Sequence, residues 1–167
     1  SKVEDSEEFF HELFEIGNTL AHARDNEPLA RNGVTYIKHF FGQKFSDLPE
    51  LSVMKQEFTK LCDSYLGMIE GTKALIIERN TKNLTNIDKV LTHCHSSTAV
   101  SLIKSIGKGD RDFEVVCTET RPRLQGRKTA KSLLEGCVKT TLIADSAAES
   151  FAINRGSIPV DAVFIGC

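Results

Sequence analysis

Apolar residues recur at intervals of three and four along the first half of the chain, which is the spacing of one face of an amphipathic helix. A first helix is predicted through Phe9 to Leu20, after the acidic residues Asp5 to Glu8, whose carboxylates complement a helix dipole. Pro28 lies in the first turn of a second helix, and a third extends from Leu51 to Glu78. The pattern therefore predicts a helical domain over residues 1–84.

Beyond Asn86 the pattern changes to short apolar runs that alternate with amphipathic stretches, as in βαβ units. Ser146 and Glu149 have the S-x-x-E spacing of a capping box, which predicts that Ser146 caps the last helix. Residues 85–167 are therefore expected to form an α/β domain with a parallel sheet. The predicted strands are Lys89 to Thr92, Phe113 to Thr118, Thr140 to Ala144 and Ala162 to Ile165, and the predicted helices are Ser97 to Ile106, Gln125 to Gly136 and Ser146 to Asn154.

The composition of the 167 residues narrows the class of protein. The hydrophobic fraction is 40% and the formal net charge is -2, so neither nucleic acid nor a membrane is expected as a partner. The basic residues from Arg121 to Lys131 lack interleaved aromatic residues, which fits a solvated helix face.

The five cysteines form no C-x-x-C pair, which is typical of a reduced, cytoplasmic protein. His93 and His95 have no third ligand at suitable spacing, so no metal and no cofactor are predicted.

The stretch from Lys89 to Ser105 combines a strand, a polar turn and a helix, and a thiol lies at the turn. The first N–H groups of a helix have no intrahelical partner, so they form a site for phosphate or another anion. Ser96 and Ser97 stand where an N-cap hydroxyl is needed. Cys94 lies in the same field between two histidines, which favours its thiolate form. The alternative is that Cys94 is a small core residue and the serines only cap the helix.

Polar residues also follow the second and third predicted strands. Thr118 to Arg121 and Asp145 occupy these ends, and Thr92 to Cys94 occupy the end of the first strand. Ligands of an open parallel sheet bind beyond the carboxyl ends of its strands. We therefore expect the thiol, two carboxylates, an arginine and several hydroxyls to face one crevice, with Glu119 and Asp145 orienting loops.

Four segments, THCHSSTA, ETRPRLQGRKTAKSL, LIADSAAESF and VDAVFIG, resemble one superfamily in their order and spacing. It comprises ribose-1,5-bisphosphate isomerase, methylthioribose-1-phosphate isomerase and the regulatory subunits of translation initiation factor 2B, the eukaryotic guanine-nucleotide exchange factor. The resemblance is strong from Asn86 to Gly166 and weaker over the N-terminal helices. It implies a helical domain followed by a Rossmann-like α/β domain, of which this chain holds the first part.

The resemblance also implies roles for individual residues. The catalytic cysteine of the T-H-C turn corresponds to Cys94. The residues that contact a sugar phosphate after it are Ser96, Ser97 and Thr98, and Arg24 matches a phosphate-binding arginine whose following residues differ here. Arg121 and Gln125 are candidates for contacting the substrate or a neighbouring subunit, with a structural salt bridge as the alternative.

In the family an aspartate follows the fourth strand, one position beyond Cys167, and is the acid–base partner of the cysteine. The chain is therefore expected to be part of a longer protein and inactive by itself. The whole protein is expected to convert ribose 1,5-bisphosphate to ribulose 1,5-bisphosphate, to bind a phosphorylated pentose or a nucleotide effector, and to form homo-oligomers. One alternative is a non-catalytic regulatory subunit that assembles with translation initiation factor subunits. Another is a redox-sensing thiol protein, although no second cysteine lies near Cys94 in sequence.

Overall fold

The computed structural model describes residues 5–23, 28–44, 50–108, 112–153 and 159–166. The chain divides into two compact units, Ser1–Gly71 and Thr72–Cys167. Within the described ranges, no helix has the length and apolarity that a membrane span requires. The elements are α1 (Ser6–His22), α2 (Pro28–Lys44), α3 (Leu51–Asn83), β1 (Lys89–Thr92), α4 (Ser97–Ile106), β2 (Glu114–Thr118), α5 (Gln125–Glu135), β3 (Lys139–Ile143), a 3-10 turn (Asp145–Ala147), α6 (Ala148–Ala152) and β4 (Ala162–Phe164).

Aromatic side chains form the core of the first unit. The ring of Phe41, which is 1% exposed, packs edge-on against Phe9 and Phe58 with centroid distances of 6.4 and 5.6 Å. The acidic start of α1 is confirmed, because the Asp5 carboxylate caps the helix by accepting a hydrogen bond from the Glu8 amide. Along α3, Met54 is fully buried, whereas Met68 is 48% exposed.

The second unit contains a four-stranded parallel sheet in the order β3-β2-β1-β4, which confirms the predicted fold class. β1 and β2 are central, and β2 is buried along its whole length. The register pairs Thr92 of β1 with Cys117 of β2 and with Phe164 of β4. Cys117 pairs in turn with Leu142 of β3, so the carboxyl ends of all four strands lie at one edge.

Alternate residues of the central strands point to opposite faces of the sheet, as the pleat requires. Val90, Val115 and Cys117 belong to the larger core, to which Val100, Ile103 and Ile106 of α4 and Ala130 and Leu133 of α5 contribute. Leu91 and Val116 belong to a second cluster, together with Val160 and with Phe151 of α6. The helices therefore cover both faces of the sheet, as in doubly wound folds.

The predicted strands and the helices α4 and α5 agree with the structure to within one residue at each end. The predicted capping box is wrong, because Ser146 lies inside the 3-10 turn and Ala144 precedes that turn without a side-chain cap. Asp145 begins this 3-10 turn, and its carboxylate binds backbone amides of the loop after β2. Gly109 and Asn154 lie outside the described residues.

Two adjacent leucines of α5 test the assignment of the core. Leu133 is fully buried between α5 and the sheet, whereas Leu134 is 58% exposed. Leu133→Ala should lower the free energy of unfolding by about 2–5 kcal/mol, because it removes buried methyl groups and leaves a cavity. Leu134→Ala is the matched control and should change it by less than about 0.5 kcal/mol. Urea denaturation followed by circular dichroism measures both, and equal effects would contradict the assignment.

Candidate functional site

The site lies at the carboxyl edge of the sheet, where the strand order reverses. β1 is followed in sequence by its neighbour β2, whereas β4 pairs with the opposite side of β1. Such a switch point is where open α/β sheets bind ligands. Gly166, just after β4, lies so close to the start of α4 that a Cβ atom added to it would be 2.4 Å from Cβ of Ser96. Glycine is therefore required for this close approach between the ends of β1 and β4.

Cys94 occupies the turn between β1 and α4 in the left-handed conformation, with a φ of 65°. Three groups bind it. Its amide donates to Oγ1 of Thr120 at 2.9 Å, its carbonyl accepts from Oγ1 of Thr129 at 2.8 Å, and its thiol donates to Oε1 of Gln125 at 3.2 Å. The residue is only partly buried, so the alternative of a sealed core cysteine does not apply.

Ser96 is the N-cap of α4, as predicted, and its hydroxyl accepts a hydrogen bond from the Ala99 amide at 3.3 Å. Ser97 and Thr98 form the first turn of α4, where Ser97 is exposed and Thr98 is half-buried. Cys94 and these three residues therefore lie at or just before the N-terminus of a ten-residue helix, its positive end. The arrangement has the polarity that a phosphate group needs.

Asp145, at the end of β3, holds the turn that follows β2. Its two carboxylate oxygens accept hydrogen bonds from the amides of Thr120 and Arg121, both at 2.7 Å. The amides of Arg121 and Thr120 and the nearby His93 lower the pKa of Asp145 below its usual value. Asp145 therefore orients the loop, as predicted from the sequence.

Glu119 forms ion pairs with two arginines of the same segment. Its carboxylate accepts from Nε of Arg121 at 2.6 Å and from a terminal nitrogen of Arg127 at 3.1 Å. Hydrogen bonds from Arg121 and then Arg127 lower the pKa of Glu119. Arg121 thus makes the structural salt bridge considered above, and its side chain remains 67% exposed. Because both arginines are largely exposed, we expect these ion pairs to stabilise the fold little.

The loop between β2 and α5 is unusually tight. Thr120 and Leu124 have positive φ angles of 59° and 54°, and the Arg121–Pro122 peptide bond is cis. A Cβ atom on Gly126 would lie 1.7 Å from the carbonyl oxygen of Thr118, so only glycine fits at the start of α5. This close contact brings Gln125 and Thr129 of α5 to the Cys94 turn.

Both histidines beside Cys94 are bound to threonine hydroxyls. Nδ1 of His93 lies 2.7 Å from Oγ1 of Thr118, and Nδ1 of His95 lies 2.9 Å from Oγ1 of Thr129. In the part of the chain that the structure describes, no three His, Cys, Asp or Glu side chains are grouped to hold a metal ion.

The structure therefore brings together most of the residues singled out in the sequence. Cys94, Ser96, Ser97 and Thr98 share one turn, and Gln125 reaches the thiol from α5. Arg24 lies outside the described residues. Thr120 was expected at this edge as one of the polar residues after the second strand, but its bond to Cys94 was not predicted. Thr129 was not singled out, although it belongs to the ETRPRLQGRKTAKSL segment, because its position carries no pattern that would have identified it.

The parallel sheet, its preceding helices and the polar residues at the strand ends define a Rossmann-like α/β protein. Residues 1–167 match the model of the Initiation factor 2 subunit family. The chain belongs to that family.

Similar proteins include isomerases of phosphorylated sugars. The ribose 1,5-bisphosphate isomerase of Archaeoglobus fulgidus is 31% identical over 160 residues, which is 96% of this chain and 48% of that protein. The ribose 1,5-bisphosphate isomerase of Methanocaldococcus jannaschii is 35% identical over 87% of this chain and 44% of its own length. The methylthioribose-1-phosphate isomerase of Petrotoga mobilis is 30% identical over 99% of this chain and 49% of its own length. The chain spans about half the length of these relatives.

Two solved structures share the fold. Subunit delta of translation initiation factor eIF-2B from A. fulgidus has a TM-score of 0.68 at 22% identity and covers 100% of this chain and 50% of its own. The tetrameric eIF2B-beta2-delta2 complex from C. thermophilum has a TM-score of 0.69 at 22% identity, over 99% and 54%. At this identity the likeness establishes the fold alone.

The lowered pKa of Asp145 predicts a pH dependence of stability. A carboxyl with a lowered pKa in the folded state contributes stability that is present above its unfolded pKa, about 3.9, and is lost as the pH falls through the folded value. Asp145→Asn should therefore destabilise the protein most near neutral pH, and the difference from the wild type should shrink below about pH 4. Thermal unfolding between neutral and acidic pH measures this difference.

Glu149→Gln in α6 is the matched control, because it removes a negative charge at an exposed position outside the loop. Its effect should be small at every pH. A deficit of Asp145→Asn that stays constant down to the acid limit would contradict the role assigned to the carboxylate.

Proposed function

We propose that the whole protein is an aldose–ketose isomerase that converts ribose 1,5-bisphosphate to ribulose 1,5-bisphosphate. The observation that supports this most directly is the thiol of Cys94, held half-buried at the strand ends beside the first turn of α4. The similarity to ribose 1,5-bisphosphate isomerases over 96% of this chain gives the substrate class. The reaction needs an acid–base group and an anion site at one place, and we assign both to this edge of the sheet.

The proposed reaction rearranges bonds at C1, C2 and the ring oxygen of the sugar. The bond between C1 and the ring oxygen breaks, and its electron pair stays on the oxygen, which gains a proton. The hydrogen of C2 is replaced by one gained at C1, and the C2 hydroxyl gives up its proton as it becomes a carbonyl. The proton lost there balances the one taken up by the ring oxygen, so substrate and product are isomers. Such proton transfers need two acid–base groups of the enzyme that act on the substrate. We assign one of them to Cys94. The resemblance described above assigns the other to an aspartate after the fourth strand.

Phosphate recognition is assigned to the start of α4. Ser96, Ser97 and Thr98 would bind one phosphate together with the free N–H groups of the first turn. Arg121 has an exposed guanidinium and would reach a phosphate by exchanging its contact with Glu119. Gln125 contacts the thiol and so stands where it would meet the reacting part of the substrate.

A second candidate function is a non-catalytic regulatory subunit that binds a sugar phosphate or a nucleotide and assembles with translation initiation factor subunits. The name of the matched family and the tetrameric complex among the similar structures favour it. The same crevice would then bind the effector without converting it. In either function a homo-oligomer or a larger assembly is proposed for the whole protein.

Cys94→Ser in the whole protein tests the proposed function. The substitution keeps the size of the side chain and replaces the ionisable thiol by a hydroxyl, so kcat on ribose 1,5-bisphosphate should fall by about 100- to 10,000-fold while KM changes little. Formation of ribulose 1,5-bisphosphate, followed by ³¹P NMR, gives both constants.

Cys137→Ser is the matched control, because Cys137 is exposed at the end of α5 and lies outside the site. It should retain the activity of the wild type. Normal turnover by Cys94→Ser would overturn the catalytic assignment, and sugar-phosphate binding by a wild-type protein that produces no ribulose 1,5-bisphosphate would favour the regulatory function.

A further inference from the structure

Thr129 forms hydrogen bonds with both Cys94 and His95, which lie in the turn between β1 and α4. Its side chain is 1% exposed, and Oγ1 lies 2.8 Å from the carbonyl oxygen of Cys94 and 2.9 Å from Nδ1 of His95. These are two hydrogen bonds to one hydroxyl group inside the protein. Their directions follow from counting protons.

A threonine hydroxyl has one proton to donate, and a backbone carbonyl can only accept. The proton of Thr129 therefore goes to the carbonyl of Cys94, and the bond to His95 must be donated by the ring. Nδ1 of His95 consequently bears a proton, and in the neutral imidazole Nε2 has a free lone pair. The geometry thus fixes one tautomer of His95.

The protonation state agrees with this assignment. Burial of His95 and the nearby positive charge of Lys128 lower the pKa of the imidazole below its ordinary value of about 6.5. Both effects favour the neutral form of the ring.

Gln125 and Thr129 are one helical turn apart on α5, so they lie on the same face of the helix. One binds the thiol of Cys94 and the other binds its carbonyl. Ala130 and Leu133 of the same helix are buried against the sheet, which holds α5 in place. The position of the sulfur atom is therefore set by a packed helix and not by the turn alone.

We propose that Thr129 is a positioning residue for Cys94, which holds the left-handed turn through the Cys94 carbonyl and locks His95 in the neutral Nδ1–H tautomer. This inference rests on the proposed function, because it assigns Thr129 to the placement of the thiol that would transfer the proton. Thr129 would not touch the substrate.

The tautomer of His95 is the first test, and it needs no enzymatic activity. Long-range ¹H–¹⁵N correlation spectra of the ¹⁵N-labelled protein distinguish a protonated Nδ1 from a protonated Nε2. We expect a protonated Nδ1 in the wild type and in Thr129→Ser, which keeps the hydroxyl. A protonated Nε2 in the wild type would overturn the proposal whatever the variants do.

Kinetics of the whole protein are the second test. Thr129→Val keeps the shape of the side chain but loses the hydroxyl, so kcat should fall about 10- to 100-fold with little change in KM. Thr129→Ser should restore kcat to within about threefold of the wild type. Thr140→Val is the matched control, because it removes a hydroxyl that donates to the Val138 carbonyl at the far end of β3.

Alkylation of cysteines by iodoacetamide, resolved by mass spectrometry, separates this proposal from the proposed function. In Thr129→Val the turn is released, so the rate at Cys94 should rise by about fivefold or more relative to Cys137 in the same protein. Thr140→Val should change the ratio by less than about twofold. If the wild type had no isomerase activity, the proposed function would be wrong, but the alkylation rate of Cys94 would still test the positioning role of Thr129. An unchanged Cys94 rate in Thr129→Val, or an unchanged kcat in an active enzyme, would overturn the positioning role.

Discussion

The site depends on the left-handed backbone of Cys94. For a residue other than glycine, this conformation costs of order 1–3 kcal/mol, so it persists only where the surroundings hold it. Here the amide and the carbonyl of Cys94 are each bound by a threonine hydroxyl, from Thr120 and Thr129. Both threonines belong to the segment that joins β2 to the buried face of α5. The packed core therefore helps to stabilise the turn that presents the thiol.

Two acidic residues at the carboxyl edge of the sheet bind groups of the loop after β2 and of α5, on which the Cys94 turn depends. Asp145 binds the amides of Thr120 and Arg121, and Glu119 aligns Arg121 and Arg127. Thr120 is therefore bound on both sides, because its amide donates to Asp145 and its hydroxyl accepts from the Cys94 amide. These hydrogen bonds link three strand ends, from β3 through the loop after β2 to the turn after β1.

The sequence predicted the parts of the fold that depend on local patterns. The strand Lys89–Thr92, the helix Ser97–Ile106 and the Ser96 cap follow from apolar spacing and hydroxyl position, and the structure agrees with them. The roles of Thr120 and Thr129 could not be predicted, because their bonds to Cys94 join residues 26 and 35 positions apart. Such contacts depend on how β2 and α5 pack. The capping box failed because the chain forms a 3-10 turn over Asp145–Ala147, a conformation that the S-x-x-E spacing alone does not reveal.

Two cysteines of the sheet unit show what the contacts of Cys94 accomplish. Cys117 is fully buried in β2, has its pKa raised to about 12 by burial, and serves as a small apolar side chain of the core. Cys94 lies at the tip of the neighbouring strand, partly exposed, with its amide, carbonyl and thiol each hydrogen-bonded. Packing alone needs none of these bonds. Two of them are made by the backbone and would be available to any residue at this position, so only the bond to Gln125 involves the sulfur. Cys137 has a similar positive φ of 58° and is exposed, so a left-handed backbone does not by itself call for a thiol. Cys94 is distinguished by the contact of its sulfur with Gln125 at the carboxyl edge of the sheet, and the proposed chemical role rests on that contact.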